Sequence, residues 1–214
     1  LIGFAGSPWT LAAYMIEGRS SADFRLAKAF MLDQPHAMTR LVHLLGDAIT
    51  SYLNTQVSAG ADALMIFDSW GGMLSPRHYL RYSLEPIERI MAGLVREHVG
   101  RKVPSIVFSK GANATLERIA DCGCDAVALD WTIELGEARR RIGDRVALQG
   151  NLDPTVLYAR PERIREEVGY VLDSFGPGSG HVFNLGHGLQ PRMDPDRVGA
   201  CVAAVHELGA SRAR

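Results

Sequence analysis

The sequence predicts an α/β fold with a parallel sheet, on three observations. Short continuous apolar runs recur along the chain, helical stripes separate them, and the connections between the two are short. With 214 residues, 47% of them hydrophobic, the chain can bury a sizeable core. It has no linker, low-complexity stretch or compositional break, so a single domain over residues 1–214 is expected.

Six runs read as strands: "LIGFAG" (1–6), "ALMIFDS" (63–69), "PSIVFSK" (104–110), "AVALDW" (126–131), "VALQGN" (146–151) and "HVFNLG" (181–186). Each is continuous rather than alternating, the pattern of a parallel strand covered on both faces. Between them lie helical stripes: Leu80, Leu84, Ile87, Met91, Leu94 and Val95; then Ile164, Val168, Val171, Leu172 and Phe175; then Val198, Cys201, Val202 and Val205. Ser75-Pro76, Asp153-Pro154 and Asp194-Pro195 each set a capping residue before a proline, which suits the first helical position. "DCGCD" (121–125) and "GPGSG" (176–180) read as short returns to the next strand.

Six units fit a doubly wound open sheet or part of a closed barrel, which takes eight. Leu1 already stands inside the first run, with no turn or helix ahead of it. The expectation is therefore a (β/α)8 TIM barrel lacking its first two strand–helix units. Such a chain exposes two strand edges and apolar strand faces, so in isolation it is expected to aggregate or dimerise.

A formal net charge of −1 argues against a nucleic-acid or membrane-surface role built on bulk electrostatics. No apolar run approaches the roughly 18 residues of a membrane span. Three cysteines, an odd number, fit a reducing compartment, and the cytoplasm is the expected location. No Walker loop is present and no G-x-G-x-x-G follows a strand, which counts against nucleotide and dinucleotide cofactors.

Both α/β architectures place function at the C-terminal ends of the strands. Those ends carry Gly6-Ser7, Asp68-Ser69-Trp70-Gly71-Gly72, Ser109-Lys110-Gly111, Asp130-Trp131, Gln149-Gly150-Asn151 and Gly186-His187-Gly188. Their convergence on one mouth is the strongest sign of a site, and the recurrent glycines leave room for a bulky ligand. The residue types leave the chemistry open. His187 reads as an anion ligand, an acid or base, or a buried hydrogen-bonded histidine. Asp68 and Asp130 read as a carboxylate pair or as caps of following helices. Lys110 reads as a Schiff-base lysine or an exposed or salt-bridged one. Ser69 lacks the context of a nucleophile elbow. Cys122, Cys124 and Cys201 lack zinc-site spacing and read as buried, inert thiols.

Several stretches in order are more specific than any one of them: "GFAGSPWTLAAYMIEG" (3–18), "FDSWGGMLSP" (67–76), "ALDWT" (128–132), "LQGNLDP" (148–154) and "NLGHGLQP" (184–191). Together they resemble the uroporphyrinogen decarboxylase family, from Leu1 to about His206. The resemblance implies a (β/α)8 barrel that removes CO2 from the four acetate side chains of uroporphyrinogen to give coproporphyrinogen, in tetrapyrrole and haem biosynthesis. It implies no cofactor and no metal. It further implies a cytoplasmic homodimer whose partner molecule is the tetrapyrrole, with no nucleic acid or membrane. By the same resemblance Tyr14, Ser69 and His187 contact substrate, and Phe4 and Phe67 line the pocket. The glycines beside His187 would then let the chain pass close to a wide macrocycle. The family's catalytic arginines and its pyrrole-binding aspartate belong ahead of Leu1, so the resemblance assigns no catalytic residue to this chain. Two alternatives stand beside it. A zinc-dependent methyltransferase of the same superfamily would need a His-x-Cys and a further cysteine at strand ends, which the sequence lacks. A non-catalytic barrel fragment that binds tetrapyrrole would need neither.

Overall fold

The computed structural model describes residues 1–212, which divide after Val127 into two compact units. The first unit opens with β1 (Ile2–Gly6), followed by α1 (Pro8–Glu17), α2 (Arg25–Asp33) and α3 (Pro35–Ser58). β2 (Ala63–Asp68) leads through a 3-10 turn at Gly71–Met73 into α4 (Pro76–Tyr79), a π-helical turn at Leu80–Leu84, and α5 (Glu85–Gly93). A small antiparallel hairpin, β3 (Glu97–His98) and β4 (Arg101–Lys102), precedes β5 (Ser105–Ser109), α6 (Leu116–Ala120) and β6 (Ala126–Ala128). β1, β2 and β5 pair in chain order and in parallel, with Phe4 opposite Met65, Gly6 opposite Phe67, and Phe67 opposite Phe108.

The second unit runs through α7 (Leu135–Ile142), β7 (Ala147–Leu152), a 3-10 turn at Pro154–Tyr158, α8 (Pro161–Phe175), β8 (His181–Leu185) and α9 (Pro195–Arg212). β7 and β8 pair in parallel, Gly150 opposite Phe183 and Asn151 opposite Asn184. The expected α/β alternation and the six parallel strands are thus present.

Burial follows the expected pattern on some strands and departs from it on others. β5 is buried at every position and β2 is half-buried only at Ala63 and Phe67, as doubly covered strands should be. β1 and β8 instead alternate. In β1, Gly3 and Ala5 are buried; a Cβ on Gly3 would stand 3.2 Å from Ala61, against the end of α3. Ile2 and Phe4 point the other way and are exposed. In β8, Val182 is exposed while His181 and Phe183 turn toward Phe175 of α8 and Val205 of α9. A strand covered on one face only needs only every second side chain to be apolar, so an uninterrupted apolar run does not distinguish the two cases.

The stripe from Leu80 to Val95 does not form one helix. Pro86 has no N–H to return to the carbonyl four residues back, and the chain absorbs this as a π turn in which Glu85 N donates to Leu80 O. The helix ends at Gly93, leaving Leu94 buried in extended backbone and Val95 exposed. The proline caps also differ in detail. Asp194 accepts from Asp196 N (2.9 Å) at the start of α9. Asp153 accepts from Thr155 N (2.8 Å) but opens a 3-10 turn, and α8 begins only at Pro161. The Ser75 hydroxyl pairs with His78 Nδ1 (3.0 Å) rather than with backbone. Of the last stripe, Cys201 is buried but Val202 is half exposed.

The first unit is centred on Trp9, Phe24, Leu64, Ile66, Tyr82 and Ile87. In α3 the buried residues Met38, Val42, Gly46, Ile49, Leu53 and Val57 trace one stripe. The second unit is centred on Leu135, Ile142, Leu148, Ile164 and Val168. Here Arg139 closes α8: its guanidinium donates to Phe175 O and Pro177 O and lies 4.2 Å from the centre of the Phe175 ring. The glycine-rich return at 176–180 is thereby tied to α7.

The turn of the small hairpin carries Val99 at φ 52 and Gly100 at φ 73. A two-residue turn with both φ angles positive suits Asn-Gly, whereas a β-branched residue is strained there. Val99 is 85% exposed and gains no burial in return. Val99→Asn is therefore expected to stabilise the protein by about 1 kcal/mol, a rise of about 2–4 °C in melting temperature. A melting temperature equal to or below that of the parent would contradict the strain argument.

Candidate functional site

The C-terminal end of β2 is organised by one buried carboxylate. Asp68 is fully enclosed, and its Oδ1 accepts from Ser7 Oγ (2.7 Å) and Thr10 Oγ1 (3.2 Å). Its Oδ2 accepts from Ser83 Oγ and Ser109 Oγ, both at 2.7 Å. Ser7 also caps α1, accepting from Thr10 N at 3.1 Å. One side chain thus joins the ends of β1, β2 and β5 to the start of α1 and to the π turn. Burial pushes the Asp68 carboxyl above the usual carboxylate range, while the four hydroxyls pull it back. Asp68 is a structural acceptor, not the helix cap that its position at a strand end allowed.

The glycines of "FDSWGG" follow from this arrangement. A Cβ on Gly71 would stand 2.0 Å from Asp68 Oδ2 and 2.4 Å from Ser109 Oγ. Gly72 N donates to Lys110 O at 2.9 Å, and a Cβ there would stand 2.4 Å from that oxygen. The chain after β2 is pressed onto the chain after β5 at backbone distance.

Around this anchor the first unit assembles an aromatic wall. Trp70 meets Phe24 with ring centroids 4.7 Å apart and Tyr14 edge-on at 6.2 Å, and its carbonyl accepts from Trp9 Nε1 at 3.0 Å. Tyr14 also meets Phe24 edge-on at 6.1 Å and remains 39% exposed. Ser69, half-buried, stands in the turn between β2 and Trp70. Lys110 Nζ lies 6.0 Å from the centre of the Trp70 ring. Below the strand ends, Phe4, Phe67 and Phe108 form an edge-to-face row, with centroids 5.8 Å and 6.0 Å apart. Phe4 and Phe67 thus share one row of rings, Tyr14 belongs to the cluster around Trp70, and Ser69 stands in the chain between Phe67 and Trp70. The sequence reading placed Trp70 in a strand-end cluster without giving it a role, and it did not single out Phe108. The signal was there in register, since Phe108 pairs directly with Phe67.

In the second unit, His187 is exposed in the bend after β8. Gly186 N donates to Leu152 O at 2.7 Å, and a Cβ on Gly186 would stand 2.8 Å from Trp131 N and 3.1 Å from Asp130 Cα. The glycine before His187 is thus accounted for by contact with the chain's own backbone. A Cβ on Gly188 would meet nothing. Asp130 is buried, and its Oδ1 accepts from Thr132 N at 2.8 Å, an Asx turn rather than a helix cap. Asn151 Nδ2 donates to Asp130 O (2.9 Å) and to Ile133 O (2.6 Å), which ties "LQGN" to "ALDWT". Beyond His187, Tyr158 OH donates to Gln190 Oε1 at 2.9 Å. His181 stacks on Phe175, with centroids 4.7 Å apart, and its Nε2–H donates to Gly150 O at 2.7 Å; burial lowers its pKa, which favours the neutral ring.

All three cysteines are buried and reduced. Cys122 and Cys124 flank Gly123 in the return from α6 to β6, and Cys201 lies on α9, where burial pushes its thiol pKa up. Among the described residues no group of three or more His, Cys, Asp or Glu side chains is placed to hold a metal ion.

Fold and strand-end clusters together define an α/β protein of the TIM-barrel class that presents its polar residues where the strands end. Among solved structures, a methyltransferase from Methanosarcina mazei superposes with a TM-score of 0.81 at 21% identity, covering 97% of this chain and 58% of that one. A B12-independent methionine synthase from Shewanella sp. W3-18-1 superposes with a TM-score of 0.64 at 13% identity. These likenesses show the fold. The uroporphyrinogen decarboxylase family model matches residues 1–208, and the chain belongs to that family. It is 60% identical over 210 residues to the uroporphyrinogen decarboxylases of Pseudomonas fluorescens (strain SBW25) and Pseudomonas syringae pv. syringae (strain B728a). The match takes in 98% of this chain, and the chain spans 59% of the length of those relatives.

Replacing one carboxylate oxygen by an amide NH2 leaves two of the four hydroxyls without an acceptor and facing a new donor. Asp68→Asn is expected to cost about 3 kcal/mol of stability, as breaking a buried charged cluster does. Gly71→Ala should destabilise as well, because its methyl would overlap Asp68 Oδ2. The pH dependence has a definite sign. With its pKa raised in the fold, Asp68 holds a proton more tightly folded than unfolded, so its contribution to stability declines as the pH rises above 3.8. Because Asp62, Asp125 and Glu207 act in the opposite sense, the signature is a difference: across that range the urea midpoint of the parent should fall with pH relative to that of Asp68→Asn. An unchanged slope in the variant would reject the assignment.

Proposed function

We propose that this chain forms part of a cofactor-free decarboxylase that converts uroporphyrinogen to coproporphyrinogen by removing CO2 from its four acetate arms. The observation that carries the reading is the family membership across residues 1–208, with 60% identity to enzymes of that name. Tyr14, Ser69 and His187 contact the substrate, and Phe4 and Phe67 line its pocket. The exposure of Tyr14 and the Phe4–Phe67 edge contact support this.

The chemistry needs no electron sink beyond the substrate. Protonation of a pyrrole carbon turns the ring into a cation. The C–CO2 bond of the acetate arm then breaks and its electron pair flows into that ring. CO2 departs, a proton delivered to the exocyclic carbon makes a methyl group, and the proton first placed on the pyrrole carbon is released to restore the neutral ring, so that one proton is consumed for each CO2 lost. The protein must supply a proton donor and an anion to steady the ring cation. Neither role falls to Asp68, which is enclosed by Ser7, Thr10, Ser83 and Ser109. The family's arginines and pyrrole-binding aspartate have no counterpart in this chain, so the acid and the anion come from polypeptide that the longer relatives carry. What this chain contributes is a wall that holds the macrocycle and excludes water. The same reading makes the protein a cytoplasmic homodimer.

Anaerobic incubation with uroporphyrinogen, followed by separation of products by carboxylate number, tests the proposal. A protein of the relatives' full length carrying this chain should give products with seven down to four carboxylates. In that protein His187→Ala and Tyr14→Phe should each lower kcat/KM about tenfold, about 1.4 kcal/mol of transition-state stabilisation, with the fold intact. Cys122→Ser and Cys124→Ser should leave turnover unchanged. Loss of turnover in the cysteine variants with none in His187→Ala would overturn the placement of the site.

A further inference from the structure

We propose that Cys122 and Cys124 are a redox-active dithiol, a modification site that a low-molecular-weight disulfide closes into an intrachain disulfide. The two residues flank Gly123 in the return from α6 to β6, where Gly123 turns with φ 91. Across two residues a chain spans at most about 7 Å, and a disulfide bridges Cα atoms roughly 4.4–6.8 Å apart. The fold brings the two thiols together on one carbonyl. Cys122 N donates to Ile119 O at 3.1 Å and the Cys124 thiol to the same oxygen at 3.8 Å. The Cys124 thiol is also hydrogen-bonded to the Cys122 sulfur. The return itself is clamped, since Arg96 Nη2 donates to Gly123 O at 2.9 Å and to Asp125 Oδ2 at 3.1 Å.

The two thiols are not equivalent. The hydrogen bond from Cys124 holds the Cys122 thiol below the usual range, against burial and the carboxylate of Glu88. The same contact, with burial, pushes the Cys124 thiol up. Cys122 is therefore the attacking sulfur. As a thiolate it displaces one thiolate from the small disulfide and forms a mixed disulfide. Cys124 then loses its proton and attacks the Cys122 sulfur, and the second thiolate leaves. The protein gives up two electrons and two protons, and the small disulfide becomes two thiols. Both cysteines are nearly enclosed, at 6% and 8% exposure, but Gly123 between them is exposed and gives the reagent its approach. Asp125 N donates to Ser105 O at 2.9 Å, so the pair stands where β5 begins, whereas the Asp68 anchor holds Ser109, where β5 ends. Oxidation of the pair thus leaves the strand ends that carry the proposed substrate contacts in place.

Trypsin cuts after Arg118 and Arg139 and so releases both residues on one peptide that holds no other cysteine. The folded protein is equilibrated with mixtures of reduced and oxidised glutathione, its free thiols are blocked with iodoacetamide, and the mass of that peptide is measured. As oxidised glutathione rises, the doubly blocked peptide should give way to an unblocked one that is two hydrogens lighter than the dithiol. The equilibrium constant should be about tenfold larger in the folded protein than in urea, because the fold holds the thiols in contact. Cys124→Ser should trap glutathione on Cys122, and Cys122→Ser should take it up on Cys124 about tenfold more slowly. Circular dichroism and melting of both variants check the fold. A peptide that stays doubly blocked in every mixture would overturn the proposal, as would a constant no larger in the folded protein than in urea. Glutathione held on Cys124 but not on Cys122 would overturn the assignment of Cys122 as the attacking sulfur.

Discussion

The carboxylate of Asp68 is the constraint on which the strand ends of the first unit depend. A charge taken wholly out of water is tolerated only where donors replace the lost solvent, and here four hydroxyls from three separate segments do so. Each of those segments is fixed by the same contact: the entry to α1 through Ser7 and Thr10, the π turn through Ser83, and the end of β5 through Ser109. The carboxylate is spent on holding these pieces together. Its neighbour Ser69, one residue on, is left at the surface of the anchored turn.

Glycine serves the same end by a different route. At Gly71, Gly72 and Gly186 the chain approaches another segment so closely that a methyl group would overlap it. Two of these contacts press the β2 turn onto Asp68 and onto Lys110. The third presses the bend before His187 onto the backbone of Asp130 and Trp131. The loops that carry the proposed substrate contacts are therefore pinned by packing at their bases, while Tyr14 and His187 remain exposed. A site that must admit a wide macrocycle benefits from this, because the walls need not be ordered at the moment of binding.

Much of the site was legible in the sequence because parallel α/β folds confine functional residues to strand ends. Locating the six apolar runs was enough to locate Ser69, Lys110, Asp130 and His187. Their roles were less legible. Asp68 and Asp130 are the same residue type at equivalent places, yet one gathers four hydroxyls and the other closes an Asx turn onto Thr132. Residue type gives no clue to partners that lie 15 to 61 positions away in the chain. The row of Phe4, Phe67 and Phe108 was likewise seen only in part, because it exists through register between strands and not within any one of them.

The six strands, their parallel character, three of the helical stripes and the family could be read from the chain alone, whereas α1 to α3, α6, α7 and the β3–β4 hairpin were not. The legible features depend on local patterning and on motif order, which are properties of the chain read end to end. Only the tertiary structure decided that the stripe around Pro86 breaks into a π turn, that β1 and β8 are covered on one face, and that the glycine before His187 is required by the protein's own backbone. For the strand faces and for Gly186 the deciding quantity is a distance or a burial between segments remote in sequence, which exists only once the chain has folded; at Pro86 the cause is local, but which backbone geometry absorbs it is not written in the residue types.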